Sequence, residues 1–370
     1  MPGQLIEDLL SERGWSQRVL AIVLGVEETG LNKLIAGKKR VDAAMAIALG
    51  DVFAPVPPER FMELQKEYDL AMARLVVRSD PGRTTRAHLF GELPITEMIK
   101  RRWIDAEDVR DVARVESGLV KFFCVDSADN IPILPHAAKK TEVTGPVTPS
   151  QLAWLYRVRQ IAREMVVPRR YTIPAARHAV ERLSALLAAA EETRHAPRIL
   201  AEAGIRYVLV ESLPSAKIDG VCCWLDGASP VIGMSLRFDR IDNFWWVLRH
   251  ELEHVIRGHG REAAMIDFDM EGAEQDTPEE ELQANEAARE FCVPKKEMDS
   301  FIARKQPLFS EKSILGFAGK LNLHPGLVAG QLRHRTKRWD LFAKHLVKVR
   351  SAVSPSAMVD GWGDVAPVSQ

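Results

Sequence analysis

The sequence predicts an α+β protein of several domains, all-α at the N-terminus and carrying a small antiparallel sheet further on. Three observations support that reading. A chain of 370 residues is long for one domain, and roughly two to three are expected. Apolar residues recur at helical spacing through most of its length. Three short strand-like runs, RYVLVE (206–211), VCCWL (221–225) and VIGMSLRF (231–238), are separated by turn signals at Pro214, Asp219-Gly220 and Asp226-Gly227. Such spacing suits an antiparallel meander.

Taken in order, Leu5, Ile6, Leu9 and Leu10 fall on one helical face, and Ser16 caps a second run with Val19, Leu20, Val23 and Leu24. Gly25 interrupts, a third run covers 27–35, and Gly37 ends it. Helical pattern returns over 42–49 and 58–75. The stretch 79–147 is less regular, with RSDPGRTTR, a short apolar FFCV segment and the connector-like NIPILPHAAKKTEVTGPVTPS. Helical spacing resumes over 150–165 and 173–192, and again from Asn243. The expected divisions are an all-α domain at 1–78, a connector and helical middle region at 79–195, and a sheet-bearing domain at 196–345. The remainder, 346–370, lacks a sustained period and is expected to be a disordered tail.

With 46% hydrophobic and 27% charged residues the composition is that of a globular protein. A net charge of -1 argues against a broadly basic nucleic-acid binder, so any DNA contact must come from a local patch. No apolar run approaches the roughly 18 residues of a membrane span. The opening MPGQLIEDLLSERGW lacks the basic-then-apolar order of a secretory signal. Of four cysteines, the adjacent Cys222 and Cys223 form neither a CxxC knuckle nor a disulfide framework. Reduced, mostly buried thiols in a cytoplasmic protein are expected.

The stretch FWWVLRHELEHVIRGHG holds HExxH at His250, Glu251 and His254. On a helix, positions i and i+4 project from one face, so both histidines can bind one ion. Glu251 then stands where it can serve as general base on water activated by zinc. His259 is off register for a third ligand: HExxHxxGxxH needs the histidine at 260, which is Gly, and a glycine at 257, which is Arg. The alternative lies in TPEEELQANEAAREFCVP, a helix with Pro278 near its start and an acidic first turn. Any of its carboxylates would complete a His2Glu set. Glu281 and Asn285 share one of its faces, and Asn285 could brace a ligand histidine.

These segments resemble the ImmA/IrrE metallopeptidases, in which a glycine-linked strand pair leads to an Fxx(x)HExxH helix and then an ExxAN helix ending near proline. ILGFAGKLNLHPGLVAGQLRHR is similar to that family's C-terminal helix pair, and the likeness runs over 200–345. It implies a zincin-like metallopeptidase fold with Zn2+ held by His250, His254 and Glu281, and Glu251 as the catalytic base. One departure is Glu253, where the family usually has a small residue; the resemblance implies a charge close to the metal there. It also implies a polypeptide substrate held as an added strand on a sheet edge beside the metal, with VIGMSLRF as the neighbouring strand.

SQRVLAIVLGVEETGLNKLIAGKKRVDAAMAIALG has the layout of a helix-turn-helix and resembles the Xre/HigA type. RFMELQKEYDLAMARL is similar to the LQxxYDL helix that follows in HigA-like proteins. Such domains are usually homodimers on palindromic operators, with the second helix in the major groove. By position, Gln17, Thr29, Gly30, Asn32 and Lys33 would face DNA, while Lys38, Lys39 and Arg40 would meet phosphates. Ten basic residues in 1–78 stand against eleven acids, so no general basic field assists. Together the two resemblances imply a regulator that cleaves a repressor or antitoxin. The alternative is a HigA-like DNA-binding antitoxin or repressor whose second domain senses without cleaving.

Overall fold

The computed structural model describes residues 1–76, 80, 82–133, 147–268, 278–360 and 367–368. The chain divides into two compact units, 1–83 and 84–370.

The first unit contains helices α1 (Pro2–Arg13), α2 (Gln17–Leu24), α3 (Glu28–Ile35), α4 (Ala43–Val52) and α5 (Pro58–Val76). Ser16 caps α2 by accepting from the Val19 amide at 3.3 Å. Gly25 ends it at φ 66, a left-handed conformation that glycine adopts without strain. Ile6, Leu10, Leu20, Leu31, Leu34, Leu49 and Phe61 form the core. Only part of the apolar periodicity of α2 is inward: Leu20 is buried, while Val19, Ile22 and Val23 are exposed.

The second unit is α+β. It opens with α6 (Arg83–Glu92), α7 (Ile95–Lys100), α8 (Val112–Phe123), α9 (Pro149–Glu164), α10 (Ile173–Ser184) and α11 (Ala196–Glu202). Strands β1 (Arg206–Val210), β2 (Ile218–Trp224) and β3 (Pro230–Met234) lead to α12 (Ile241–Arg257) and β4 (Met265–Phe268). There follow α13 (Glu279–Cys292), α14 (Lys295–Lys305), α15 (Glu311–Leu321), α16 (Pro325–Thr336), α17 (Arg350–Val353), β5 (Met358–Asp360) and β6 (Pro367–Val368). No helix among the described residues is long and apolar enough to cross a membrane.

The sheet is mixed, not an antiparallel meander. Its order is β4-β2-β3-β1-β5-β6; β1 runs parallel to β3 and to β5, whereas β2 is antiparallel to β3 and β4. Because β1, β2 and β3 are buried on both faces, their side chains alternate between two cores. Tyr207, Leu209, Cys222, Trp224, Ile232 and Met234 join the core on the α12 side. Val208, Val210, Val221, Cys223 and Val231 join the core built on α8 and α9. That alternation explains the adjacent cysteines: each belongs to a different core.

Two expectations need correction here. The helical middle expected within 79–195 is not set apart from the sheet-bearing region, since its helices share both cores with the sheet. Trp154 on α9 donates its indole N–H to the Val210 carbonyl at 2.8 Å, and Arg101 donates to the Glu211 carbonyl at 2.7 Å. The apolar FFCV segment closes α8, where Phe122 and Phe123 are buried. The connector stretch at 134–146 lies outside the described residues. Nor is 346–360 a disordered tail. Val349, Val353, Ala357 and Val359 are buried, and β5 pairs with β1 through Val208↔Met358 to Val210↔Asp360. Residues 361–366 and 369–370 of that tail lie outside the described residues.

Candidate metal centre

Helix α12 owes its place to its apolar stripe. Phe244, Trp245, Val247, Leu248, Leu252 and Val255 are buried, which seats the helix on the sheet and turns His250 and His254 inward, both 0% exposed. Helix α13 packs alongside, and its buried Ala284 and Ala288 present small side chains at the contact. Its acidic first turn, Glu279, Glu280 and Glu281, suits the positive end of a helix, and the third of these carboxylates faces the histidines.

The three donor atoms converge. His250 Nε2 and His254 Nε2 are 3.0 Å apart, and the Glu281 oxygens lie 3.2 Å from the first and 3.5 Å from the second. Bonds of about 2.0–2.2 Å in a tetrahedral zinc site place donors roughly 3.3–3.5 Å from each other, close to the spacing found. Two imidazole nitrogens and one carboxylate oxygen are also the donor set that such a site takes. Among the described residues, His250, His254 and Glu281 are the one group of this kind that could hold a metal ion. Burial alone would raise the Glu281 carboxyl, but hydrogen bonding to His250 and His254 holds it well below the usual carboxylate range.

Glu251 is fully buried one residue along, against β2. A Cβ at Gly220 would stand 2.1 Å from Glu251 Oε1 and 2.9 Å from Val247 Cγ1. Glycine at this one strand position is what lets the carboxylate lie there.

His259 takes part, though not as a ligand. Gly258 ends α12 at φ 77; its amide bonds to the Val255 carbonyl at 3.1 Å, and the His259 amide bonds to that of His254 at 2.9 Å. This double bond pattern is a Schellman stop, which folds the second residue after the helix back over its last turn. His259 Nδ1 consequently lies 3.0 Å from His254 Nδ1. Trp224 Nε1 donates to the His259 carbonyl at 2.8 Å and fixes the loop. The pair leaves His254 Nε2 toward Glu281 and holds its ring by the opposite nitrogen, as outer partners of ligand histidines do. The sequence signal was the RGHG run itself: a glycine stop followed directly by histidine.

Asn285 is half-buried on α13 and makes no hydrogen bond to His250 or His254 among the described residues; His259 occupies the bracing role expected of it. Glu253 is not an unpaired charge beside the candidate site. It accepts from Arg249 Nη2 at 2.8 Å and Arg257 Nε at 2.7 Å, one helical turn away on either side. Burial raises its carboxyl, yet the two guanidiniums bring it below the usual range. The strand expected at the substrate edge, β3, lies inside the sheet between β2 and β1, and β4 forms the edge on this side.

In the first unit, Thr29, Asn32 and Lys33 are exposed on α3, with Gly30 and Gln17 partly covered. Lys38, Lys39 and Arg40 are exposed in the loop that follows. Arg40 is engaged: its Nε donates to Asp69 on α5 at 3.0 Å. Gln65 on the same helix accepts from the Val41 amide at 3.0 Å and donates to Asp69 at 2.9 Å, so the LQKEYDL segment holds this loop in place.

No known protein family matches the chain, and no curated protein matches it either.

Proposed function

We propose that the chain is a cytoplasmic regulator combining a Xre/HigA-like helix-turn-helix with a zinc-dependent endopeptidase of ImmA/IrrE type. Its substrate would be a partner protein, a repressor or antitoxin in a toxin–antitoxin or stress-response setting. The observation that carries this reading is the convergence of His250, His254 and Glu281 within 4.8 Å, with Glu251 buried beside them. The motif resemblance over 200–345 supports it.

His250, His254 and Glu281 would hold the zinc. When bound, zinc supplies Lewis acidity toward the scissile carbonyl and makes water acidic enough to be deprotonated near neutral pH. Glu251 takes the proton from the attacking water and delivers it to the leaving amine nitrogen. With His254 Nδ1–H donating to His259 Nδ1, the His254 ring would be held in the tautomer that leaves its Nε2 lone pair for the metal. Gly220 admits the Glu251 carboxylate to its position.

The test is zinc content after loading and desalting. About one zinc per chain in the wild type, lost in His254→Ala and in Glu281→Ala but kept in Glu251→Gln, is the expected result. Wild-type protein that retains no zinc would sink the reading. For the first unit, affinity for an operator should fall with salt, and Lys38→Ala should lower that slope by about one. Arg40→Ala should lower it less, because Asp69 already neutralises Arg40. Binding indifferent to salt and to Lys38→Ala would remove DNA from the proposal.

A second reading, binding or sensing without cleavage, is favoured by one observation: His250, Glu251 and His254 are each 0% exposed. The Glu251→Gln variant separates the two. Loss of biological output with zinc retained supports the peptidase, and unchanged output supports the sensor.

A further inference from the structure

On the face of α12 turned away from the metal trio, a groove opens between α10 and α12. Arg177, Val180 and Glu181 wall it on one side, Ile256 and Arg257 on the other, and His259 borders it beyond the helix stop. Its volume is about 630 Å3. Helix α12 lines it from Arg249 to Arg257, about 12 Å of helix rise, which matches roughly four residues of extended chain.

Not all of its cations are available. Arg249 and Arg257 share Glu253, at 2.8 and 2.7 Å, and Glu181 stands 3.3 Å from His178 Nδ1. Arg177, by contrast, has no carboxylate partner among the described residues, and neither have Arg170 and Arg261 nearby. All three are exposed. Tyr171 ties them together. Its hydroxyl donates to the Val255 carbonyl at 2.8 Å, its ring meets Trp224 edge-on at 5.2 Å, and the Arg261 guanidinium lies 4.3 Å from the centre of that same Trp224 ring. Burial raises the Tyr171 phenol, and Arg261 and Arg177 are both near enough to pull it back. Arg170 precedes Tyr171, with its backbone against Gly204, where a Cβ would stand 2.6 Å from the Arg170 carbonyl carbon.

Three guanidiniums gathered without a counter-charge favour an anion. The walls are poorly matched to a continuous phosphate backbone, because Glu181 interrupts the positive face and Val180 and Ile256 offer apolar surface, both half-buried. Val166, 93% exposed, adds an aliphatic side chain to the loop that carries Arg170. A polypeptide that intersperses acidic and aliphatic side chains satisfies both kinds of surface.

We propose that this groove docks an acidic segment of a partner polypeptide in extended form. Its carboxylates meet Arg170, Arg177 and Arg261, and its aliphatic side chains lie on Val180 and Ile256. Docking uses neither the metal trio nor Glu251, so it stands whether or not the chain cleaves what it binds.

The experiment follows the anisotropy of a fluorescein-labelled octapeptide, in which pairs of glutamates and pairs of valines alternate, as the full chain is added. Saturable binding with a Kd on the order of 0.1 mM or tighter is expected, weakening several-fold between about 50 and 300 mM salt. Serine in place of valine should weaken it several-fold, and lysine in place of glutamate should abolish it. Arg177→Glu and Arg170→Glu should each weaken it by about fivefold or more with an unaltered melting temperature, since both side chains are exposed. Arg304→Glu, the same charge change on α14 outside the groove, should leave the affinity within about twofold. No saturation at 2 mM, equal binding of the lysine peptide, or equal losses in Arg177→Glu and Arg304→Glu would each overturn the proposal. A labelled single-stranded DNA that binds through Arg170 and Arg177 while the acidic peptide does not would overturn it too, and would give the groove to nucleic acid.

Discussion

Replacing Gly220 with alanine tests the architecture of the site more directly than removing a ligand. The added methyl would meet Glu251 Oε1 at 2.1 Å, where real Cβ contacts stay beyond 3.0 Å, so carboxylate or strand must shift by at least about 0.9 Å. Neither has room. Glu251 and Val247 are buried, and β2 is held on both sides, by β3 and β4. Overpacking of this kind costs about 1–3 kcal/mol, which in a unit of this length lowers the melting temperature by roughly 2–8 °C. The three ligand side chains are untouched, so zinc content should stay near one per chain. A misplacement of about 1 Å in a reacting group costs on the order of 100-fold in rate, so turnover should fall while metal stays. Gly227→Ala is the control, because a Cβ there meets nothing within 4 Å. The assay is thermal unfolding with zinc analysis on wild type and both variants. A Gly220→Ala protein melting within about 1 °C of wild type would refute the close approach and the role assigned to that glycine.

Three further outcomes are expected. Glu253 is held below its ordinary range by Arg249 and Arg257, so its stabilising contribution is complete above about pH 4.3 and is lost as pH falls through its lower folded value. Glu253→Gln should cost roughly 2 kcal/mol at pH 7, with the gap closing toward pH 3 in denaturant titrations; a pH-independent gap would contradict the ion-pair account. Truncation after His345 removes Val349, Val353, Ala357 and Val359 from the core, about 5 kcal/mol or more. A shortened chain that melts like the full one would show β5 to be dispensable. Of four thiols, only Cys124 is exposed, and burial pushes Cys223 and Cys292 upward in pKa. Native protein should therefore react with one equivalent of a thiol reagent and denatured protein with four, counted by mass; a second fast thiol would contradict the burial of the pair on β2.

The long helices and the histidine pair were legible because their signals are local. The i, i+4 spacing of His250 and His254 fixes their common face, whereas the acidic first turn of α13 offers Glu279, Glu280 and Glu281 alike, and the choice of Glu281 came from the ExxAN resemblance. The sheet was legible only in part. β1, β2 and β3 announce themselves as apolar runs, but their mutual direction is set by packing on α9 and α12, which no local pattern encodes. β4 and β5 have four and three residues, too few for a period to register. β5 also follows SPS, which reads as a turn, and its pairing partner lies some 150 residues earlier. His259 was passed over because it was weighed as a ligand, whereas its position follows from how a glycine stops a helix.

The pairing of β5 with β1 has a consequence for how the protein is made. β1 emerges during synthesis long before its outer neighbour exists, and until residue 358 is free of the ribosome one edge of that parallel strand stands open. Open edges recruit foreign strands, and late, long-distance pairing prolongs the interval. The sheet thus closes only once residues 358–360 have emerged, and a nascent chain stalled before that point carries an unsealed seam.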